Sequence, residues 1–171
     1  MSNVVYRARL FATKAHAAVG QVRKYTNQPY IVHPIEVSNI VKTVPHTDAM
    51  LAAALLHDVL EDTKVTEDEL RQAFGDEITG LVLWLTDVSK PTDGVRAVRK
   101  AIDREHSRRA PAAAQTVKVA DLISNSCTIT KFDEDFARVY LAEKLLLLDV
   151  LDKADQTLKA RAYTICKEYK S

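Results

Sequence analysis

The chain has 171 residues, of which 47% are hydrophobic and 27% are charged, and this fits one globular domain over 1–171 with an ample core. Its 24 basic and 23 acidic residues leave a net charge of +1, so the composition gives no overall attraction to nucleic acid or to an anionic membrane. There is no 18-residue apolar run, no signal-peptide pattern and no CxxC spacing of the two cysteines. The sequence therefore predicts a cytoplasmic protein.

Apolar residues recur at close to the helical period almost throughout the chain, and only four glycines and five prolines interrupt it. The sequence therefore predicts an all-α domain. The first helix is predicted from Asn3 to Val19 and ends at Gly20. Its inward-facing residues are predicted to be Val5, Ala8, Ala12, Ala15 and Val19.

The segment 21–32 contains turn-forming residues and the basic pair Arg23 and Lys24. It predicts an ordered loop, and a simple solvated connection is the alternative. His33 and Pro34 then open a second helix, because proline suits the first turn of a helix. This places His33 at the mouth of that helix.

The central stretch of the chain is a predicted helix that Thr47 caps and that continues through Asp62. Helical spacing puts Leu51, Leu55, Asp58 and Asp62 on one face. An ionised carboxylate on an apolar face must be paired or bound to a cation, because an isolated buried charge costs many kcal/mol. The sequence therefore predicts a counter-charge here, and a divalent metal is the best candidate.

Two helices follow this stretch, and a basic helix comes after them. Thr66 and Glu69 form a capping box for a helix that Gly75 ends, and Asp76–Val88 forms the next helix. The third, Val95–Arg109, carries six basic residues at helical spacing. These residues form either a solvated face or the lining of a phosphate pocket, since guanidinium groups bind phosphate oxygens in pairs.

Three more helices are predicted in the last third of the chain. They start at Pro111, at Phe132 and near Asp155, and the second runs to Leu151 and the third to Tyr169. The four consecutive leucines at 145–148 predict that the second is buried on several sides. The third is predicted to pack through Leu158, Ala162 and Ile165.

Two histidines and two acids stand at a helix mouth or on otherwise apolar faces, namely His33, His57, Asp58 and Asp121. This nitrogen and oxygen set suits Mn²⁺, Fe²⁺ or a similar octahedral ion, with two positions left for water and substrate. Glu61 and Asp62 follow one turn later, where one of them could orient or deprotonate a water. The alternatives are a hydrogen-bonded core histidine at 57 and an exposed acid pair at 61 and 62.

Together these residues resemble the His-Asp (HD) metal-dependent phosphohydrolases. More narrowly, they resemble the small alarmone hydrolases, single-domain relatives of the hydrolase half of the bifunctional enzymes that make and degrade ppGpp. The matching segments occur in the family's order and cover residues 8 to 150. They are His16 with 21–24, 29–34, 53–63, 74–75, 85–87, and 117–121 with Asn125.

The resemblance implies an all-α HD-domain helical bundle that binds Mn²⁺ through the four residues named above. It also implies that Glu61 and Asp62 handle the attacking water. Five further residues match positions that lie near the nucleotide and its phosphates in the family, namely Arg23, Lys24, Lys118, Asn125 and Tyr140. Leu122 departs from the pattern, because many relatives carry a basic residue after this aspartate, and the departure leaves base preference and substrate contacts open.

The sequence therefore predicts a Mn²⁺-dependent hydrolase that removes the 3′-pyrophosphate from a guanosine or adenosine alarmone. Its partner is a small nucleotide, and the oligomeric state is left open. The alternatives are a phosphatase of the same fold that acts on another nucleotide, such as the ribose phosphate of NADPH, a non-catalytic alarmone-binding module, and a structural helical adaptor. The presence of both Glu61 and Asp62 favours an enzyme.

Overall fold

The computed structural model describes residues 2–169, in which the chain forms two compact units, one up to Thr86 and one from Asp87 onward. In this part of the chain all regular elements are helical, apart from an isolated β-bridge between Val22 and Pro29. The all-α prediction is confirmed. None of these helices is both long enough and apolar enough to cross a membrane. The single-domain organisation stays a prediction.

The first helix, α1 (Asn3–Ala18), presents a face of small apolar residues. Val5, Ala8 and Ala12 are buried there, and α1 packs on the helix at Asp48–Leu56. The prediction that Val19 belongs to this face is wrong, since its side chain is 38% exposed. The reason is that α1 ends at Ala18 and the chain turns away directly after it.

A Schellman motif ends α1. The Gly20 N–H donates to the Ala17 carbonyl over 3.0 Å, and the Gln21 N–H donates to the His16 carbonyl over 3.1 Å. Gly20 has a φ of +66°, a left-handed conformation that disfavours residues with a β-carbon. The predicted end at Gly20 is confirmed.

The central helix of the first unit is α3 (Asp48–Leu56), which packs against α1, α2 (Val32–Val41) and α5 (Glu67–Leu85). Thr47 caps α3 as predicted, because its hydroxyl accepts from the Met50 N–H over 3.2 Å. All residues from 49 to 56 are buried. This helix has no solvent-facing side beyond its first turn.

The helix predicted to run on through Asp62 stops at Leu56, so that prediction is wrong. His57 and Asp58 form a turn, and a short helix, α4 (Val59–Asp62), follows. Neither glycine nor proline stands at this break. Instead, the Nδ1 of His57 lies 2.8 Å from the carbonyl oxygen of Ala54, so the imidazole satisfies a carbonyl that continued helix would otherwise have used.

The capping box predicted at the start of α5 is present, with Thr66 accepting from the Glu69 N–H and Glu69 accepting from the Thr66 N–H. Gly75 has a φ of +78° and a ψ of 175°, which kinks α5. The predicted boundary at Gly75 therefore corresponds to a kink between two helical segments.

A comparison of Gly20 with Gly80 measures how much the left-handed backbone conformation contributes to the free energy of unfolding. Apart from the residue itself, its chain neighbours and the backbone of its own helix, no described atom lies within 4 Å of a β-carbon built on either glycine. Gly80 lies in α5 without a positive φ. We expect Gly20→Ala to lower the free energy of unfolding by about 1 kcal/mol. We expect Gly80→Ala to raise it by about 0.5–1 kcal/mol. Urea denaturation measures both, and equal effects would contradict the assignment of strain to Gly20.

The second unit begins with a short 3-10 turn, Pro91–Asp93, and continues with longer helices. The bounds of these helices are α6 (Arg96–Arg109), α7 (Ala112–Phe132), α8 (Glu134–Leu148) and α9 (Gln156–Glu168). Within the second unit α7 packs against α8 and α9, and α8 packs against both α6 and α9.

The helix predicted from Phe132 to Leu151 is wrong at both ends, because α8 begins at Glu134 and ends at Leu148. Phe132 is the last residue of α7, and Asp133 caps α8 by accepting from the Phe136 N–H over 3.2 Å. Burial on several sides is also wrong for Leu146, whose side chain is 52% exposed.

The last helix, α9, packs mainly as predicted. Leu158 and Ala162 are buried. Ile165 is only half-buried, and its neighbour Cys166 takes the third core position. The predicted stripe is therefore off by one residue at the end of α9, a shift of about 100° around the helix.

Candidate metal centre and active site

His33 lies in the first turn of α2, as the sequence predicted. Its side chain is buried, and the backbone N–H of His33 donates to the Tyr30 carbonyl over 3.0 Å. Pro34 follows it and is buried as well. The backbone contact and the buried proline therefore fix His33 in the first turn of α2.

The turn between α3 and α4 brings the other two donors to His33. The Asp58 Oδ2 atom lies 3.0 Å from the His57 Nε2 atom and 3.7 Å from the His33 Nε2 atom. The Nδ1 of His57 faces the Ala54 carbonyl, so it carries a hydrogen, and a neutral ring would direct the Nε2 lone pair at the carboxylate. Two electron-rich atoms at that distance need a proton or a cation between them.

These three residues fit a metal ion. One ligand atom from each of His33, His57 and Asp58 lies within 4.8 Å of the other two. Imidazole and carboxylate are suitable donors for a divalent first-row metal. The Tyr30 hydroxyl donates to Asp58 Oδ2 over 2.6 Å, the kind of outer contact that orients a carboxylate ligand. Three of the four predicted ligands are thus brought together.

The fourth predicted ligand, Asp121, belongs to the second unit, and its place in the ligand set stays a prediction. It lies on α7, where the Asn125 amide donates to its Oδ1 atom over 2.7 Å. The two side chains therefore share a helix face, as their four-residue spacing predicted.

Glu61 and Asp62 lie on α4, one turn after the donor pair, and both are exposed. The backbone N–H of Asp62 donates to the Asp58 carbonyl over 3.0 Å. The side chain of Asp62 accepts from the Gln21 amide over 2.9 Å. Exposure to solvent is what a pair of acids that handles water requires.

The loop that carries Arg23 and Lys24 is ordered, as predicted. The Arg23 N–H donates to the Gln28 carbonyl over 2.9 Å beside the bridge between Val22 and Pro29. The Arg23 guanidinium lies 5.8 Å from the centroid of the Tyr30 ring. This basic side chain therefore packs on the tyrosine that contacts Asp58. Its role toward a substrate, and that of Lys24, stay predictions.

The second unit holds lysines around Asp87. Lys100 Nζ lies 2.9 Å from Asp87 Oδ2, and Lys118 Nζ lies 3.4 Å from Asp87 Oδ1. Burial raises the pKa of Asp87, but the attraction of Lys118 and Lys100 outweighs it and lowers that pKa from 3.8 to about 2. Asp87 is therefore ionised in the folded protein at neutral pH.

Lys144 on α8 is a cation that the sequence analysis missed. Its Nζ lies 4.8 Å from the centroid of the Tyr140 ring, and Tyr140 itself is buried. Burial lowers the pKa of Lys144, and the charge of Lys118 lowers it further, against the pull of Asp121. The four-residue spacing from Tyr140 was a signal for the ring contact. The nearness to Asp121 depends on how α7 and α8 pack.

The basic helix α6 is largely paired with acids. Arg96 binds Glu143 through two hydrogen bonds of 2.7 and 2.8 Å. Arg108 and Arg109 both donate to Glu105. These three arginines are thus paired with two glutamates within the second unit, which favours the interpretation of α6 as a structural and solvated face.

The charge of Asp87 predicts a pH-dependent stability. Because its folded pKa of about 2 lies below its usual 3.8, the carboxylate stabilises the fold above pH 4, and this contribution is lost as the pH falls through about 2. We expect Asp87→Asn to lower the free energy of unfolding by about 2 kcal/mol at pH 7. Urea denaturation at several pH values measures it.

The control for this prediction is Asp152→Asn. Asp152 also pairs with a lysine, Lys159, but its side chain is 81% exposed. We expect a change below about 0.5 kcal/mol. A difference between Asp87→Asn and the wild type that did not shrink between pH 4 and pH 2 would contradict the assigned role of the Asp87 charge.

Comparisons with known proteins place the chain among HD proteins. The HD domain model matches residues 8–164. A GTP pyrophosphokinase of Myxococcus xanthus is 34% identical over 139 residues, which are 78% of this chain and 18% of that protein. A probable guanosine-3′,5′-bis(diphosphate) 3′-pyrophosphohydrolase of Synechocystis sp. is 38% identical over 87 residues, which are 51% of this chain and 11% of that protein. The chain thus spans less than a fifth of the length of these relatives.

A solved structure is similar over nearly the whole chain. It is described as a metazoan ortholog of SpoT that hydrolyzes ppGpp, and it matches with a TM-score of 0.87 at 26% identity. The match covers 98% of this chain and 96% of that one. The resemblance to HD-type alarmone hydrolases that the sequence indicated is confirmed.

Proposed function

The chain belongs to the HD domain family, and on this premise we propose that it is a metal-dependent hydrolase of nucleotide alarmones. Its reaction is the removal of the 3′-pyrophosphate from ppGpp or pppGpp, or from the adenosine analogues pApp, ppApp and pppApp. The products are pyrophosphate and the 5′-phosphorylated nucleoside. The proposal draws support from the solved relative of similar length, which is described as hydrolyzing ppGpp.

The observation that carries the proposal is the cluster of His33, His57 and Asp58, followed after one turn by Glu61 and Asp62. A histidine serving only the core would have no reason to face a second histidine and a carboxylate. The distances of 3.0 and 3.7 Å to Asp58 Oδ2 instead suit donors that converge on one cation.

In this proposal the metal is Mn²⁺, held by His33, His57, Asp58 and Asp121. The bound metal would supply Lewis-acid chemistry at the phosphoryl group and make a water more acidic. The cluster of imidazole and carboxylate donors fits such an ion.

In this proposal the acid pair activates the attacking water, and the basic residues bind the phosphates. Glu61 and Asp62 orient the attacking water toward the phosphorus that is bonded to the 3′ oxygen, and one of them accepts its proton. The P–O3′ bond breaks, and the 3′ oxygen takes up a proton as the nucleoside leaves. The residues proposed to bind the nucleotide and neutralise its phosphates are Arg23, Lys24, Lys118, Asn125 and Tyr140.

The proposal places the protein in the cytoplasm, with a small nucleotide as its partner and with no role in binding nucleic acid or membranes. The net charge of +1 supports the absence of nucleic-acid and membrane binding, because it gives the protein no overall basic field. We also propose that 1–171 is one functional domain, since the family model extends across both compact units.

Purified protein with Mn²⁺ and a panel of 3′-phosphorylated nucleotides tests the function. We expect pyrophosphate release from at least one of the guanosine or adenosine alarmones, and none after chelation of the metal. Release of orthophosphate instead would identify a phosphatase of the same fold. Tight nucleotide binding without turnover would identify a non-catalytic binding module. Either result would overturn the proposal, and the panel also settles the base preference that Leu122 leaves open.

A further inference from the structure

The side chain of Gln21 lies between His16 and Asp62. Its Nε2 atom is 2.9 Å from Asp62 Oδ2, and its Oε1 atom is 2.6 Å from His16 Nδ1. Within residues 2–169, Gln21 is the residue whose side chain hydrogen-bonds to the Asp62 carboxylate. The two contacts connect a buried residue of α1 to an exposed acid of the proposed active site.

The end of α1 places Gln21 there. In the Schellman motif the backbone N–H of Gln21 returns to the carbonyl of His16, so these two residues are joined through the backbone as well as through their side chains. The carbonyl of Gln21 also accepts from the Tyr30 N–H over 3.3 Å. The Gln21 backbone is therefore fixed on both sides, and its side chain has a defined origin.

The chemistry of the three groups fixes the direction of each hydrogen bond. A carboxylate only accepts, so the NH₂ of Gln21 must face Asp62 and its oxygen must face His16. That oxygen also only accepts, so the Nδ1 of His16 carries the hydrogen. The Nε2 atom of His16 is buried and has no hydrogen-bond partner within residues 2–169, which suits the unprotonated nitrogen of a neutral ring.

His16 is suited to be a fixed support. Its side chain is 1% exposed, and its ring lies 4.7 Å from the ring of Tyr30, whose hydroxyl donates to Asp58. Burial lowers the pKa of His16, against the smaller opposing effect of its hydrogen bond to Gln21. The ring therefore stays neutral and keeps one donor at neutral pH.

We propose that Gln21 and His16 are positioning residues for Asp62, with the buried Nδ1–H of His16 fixing the Gln21 amide so that its NH₂ holds one oxygen of the Asp62 carboxylate. The other carboxylate oxygen is thereby left to face the attacking water. This inference rests on the proposed function, in which Asp62 belongs to the pair that handles that water.

The variants Gln21→Glu and Gln21→Met separate this role from a merely structural one. Methionine offers neither an oxygen to His16 nor a donor to Asp62. Ionised glutamate keeps an oxygen for His16 but has no donor for Asp62, and a proton shared between the two carboxyl groups would restore one. We expect Gln21→Met to lower kcat by about tenfold or more, because a hydrogen bond to a charged group is lost, with KM within about twofold of the wild type and with Mn²⁺ affinity by calorimetry unchanged. We expect Gln21→Glu to lose the same factor only above the pH at which the shared proton leaves. A Gln21→Met enzyme with the wild-type kcat would overturn the inference.

The variants of His16 test the direction of the first hydrogen bond. Asparagine can offer an N–H where the imidazole did, whereas leucine cannot donate. We expect His16→Asn to retain kcat within about threefold of the wild type and His16→Leu to lose about tenfold. The double variant His16→Leu with Gln21→Met should have the same kcat as Gln21→Met alone, because both substitutions break the same chain of hydrogen bonds. Equal kcat values for the two His16 variants, at equal thermal stability, would count against the role of His16.

A measurement without substrate keeps this inference distinct from the proposed function. Long-range ¹H–¹⁵N correlation spectra of the metal-free protein report which nitrogen of His16 carries the proton. We expect the Nδ1–H tautomer in the wild type and in Gln21→Glu. An Nε2–H tautomer would overturn the inference even in an active enzyme. A wild-type protein that is inactive on the whole nucleotide panel would instead overturn the proposed function, with the tautomer still deciding how Gln21 is oriented.

Discussion

Asp58→Ala is expected to abolish pyrophosphate release and to remove metal binding. Asp58 is the negatively charged member of the donor cluster, with its Oδ2 atom 3.0 Å from His57 Nε2 and 3.7 Å from His33 Nε2. Without it, two imidazoles remain in this cluster, and they offer a cation no compensating charge. We expect Mn²⁺ affinity to fall by more than about a hundredfold, since even outer contacts to a metal ligand are worth 10–100-fold.

Calorimetric titration with Mn²⁺ and a pyrophosphate-release assay measure this prediction. Glu77→Ala is the matched control, because Glu77 is an exposed acid on α5 of the same unit. It should change neither quantity. If Asp58→Ala bound Mn²⁺ as tightly as the wild type does, the donor cluster would not be the metal site, whatever the effect on rate.

The double substitution of Glu61→Ala with Asp62→Ala is expected to keep the metal and lose the rate. Both residues lie on α4, outside the group of donors that converge on one point. Their proposed task is proton transfer from water, which contributes about 10²–10⁴-fold. We expect kcat to fall by that factor, while Mn²⁺ affinity stays close to that of the wild type.

Parallel titration and turnover assays on this double variant decide the assignment. Loss of metal affinity would show that one of the two acids is a ligand and that the roles had been exchanged. An unchanged kcat would show that the attacking water is activated without them. The single variants then tell which of the two acids takes the proton.

Local signals explain most of what the sequence predicted of the fold. The cap at Thr47, the capping box at Thr66 and the glycines at 20 and 75 each act within a few residues, and the structure has all of them. The break at His57 carries no such residue. It depends on a side chain that returns to the Ala54 carbonyl, and the apolar period through 51–62 concealed it.

The start of α8 was missed for a different reason. A local signal was present, because Asp133 is a good N-cap residue and it does cap α8. The apolar residues on both sides of it continued the helical period, and the long periodic run outweighed one short polar residue in the prediction.

Some residues of the candidate site are likewise indicated by local sequence patterns, whereas others depend on tertiary packing. His33, His57 and Asp58 stood out because polar groups on apolar faces or at helix mouths are visible in a pattern. The contacts that Tyr30 and Gln21 make with the acids could not be derived, since they depend on how the loop after α1 folds over α3 and α4. Their presence in the segments that carry the family resemblance was the signal available.

The burial of α3 beyond its first turn connects the supply of metal to the lifetime of the protein. Two of the three clustered donors follow directly from the end of this helix, so a cation held there would bind the folded first unit and not the unfolded chain. On the proposed ligand set, a cation at a hundredfold excess over its Kd adds about 2.7 kcal/mol to the free energy of unfolding. Cellular proteases act on unfolded chains, so we expect a cell short of the metal to hold less of the protein as well as less of its activity.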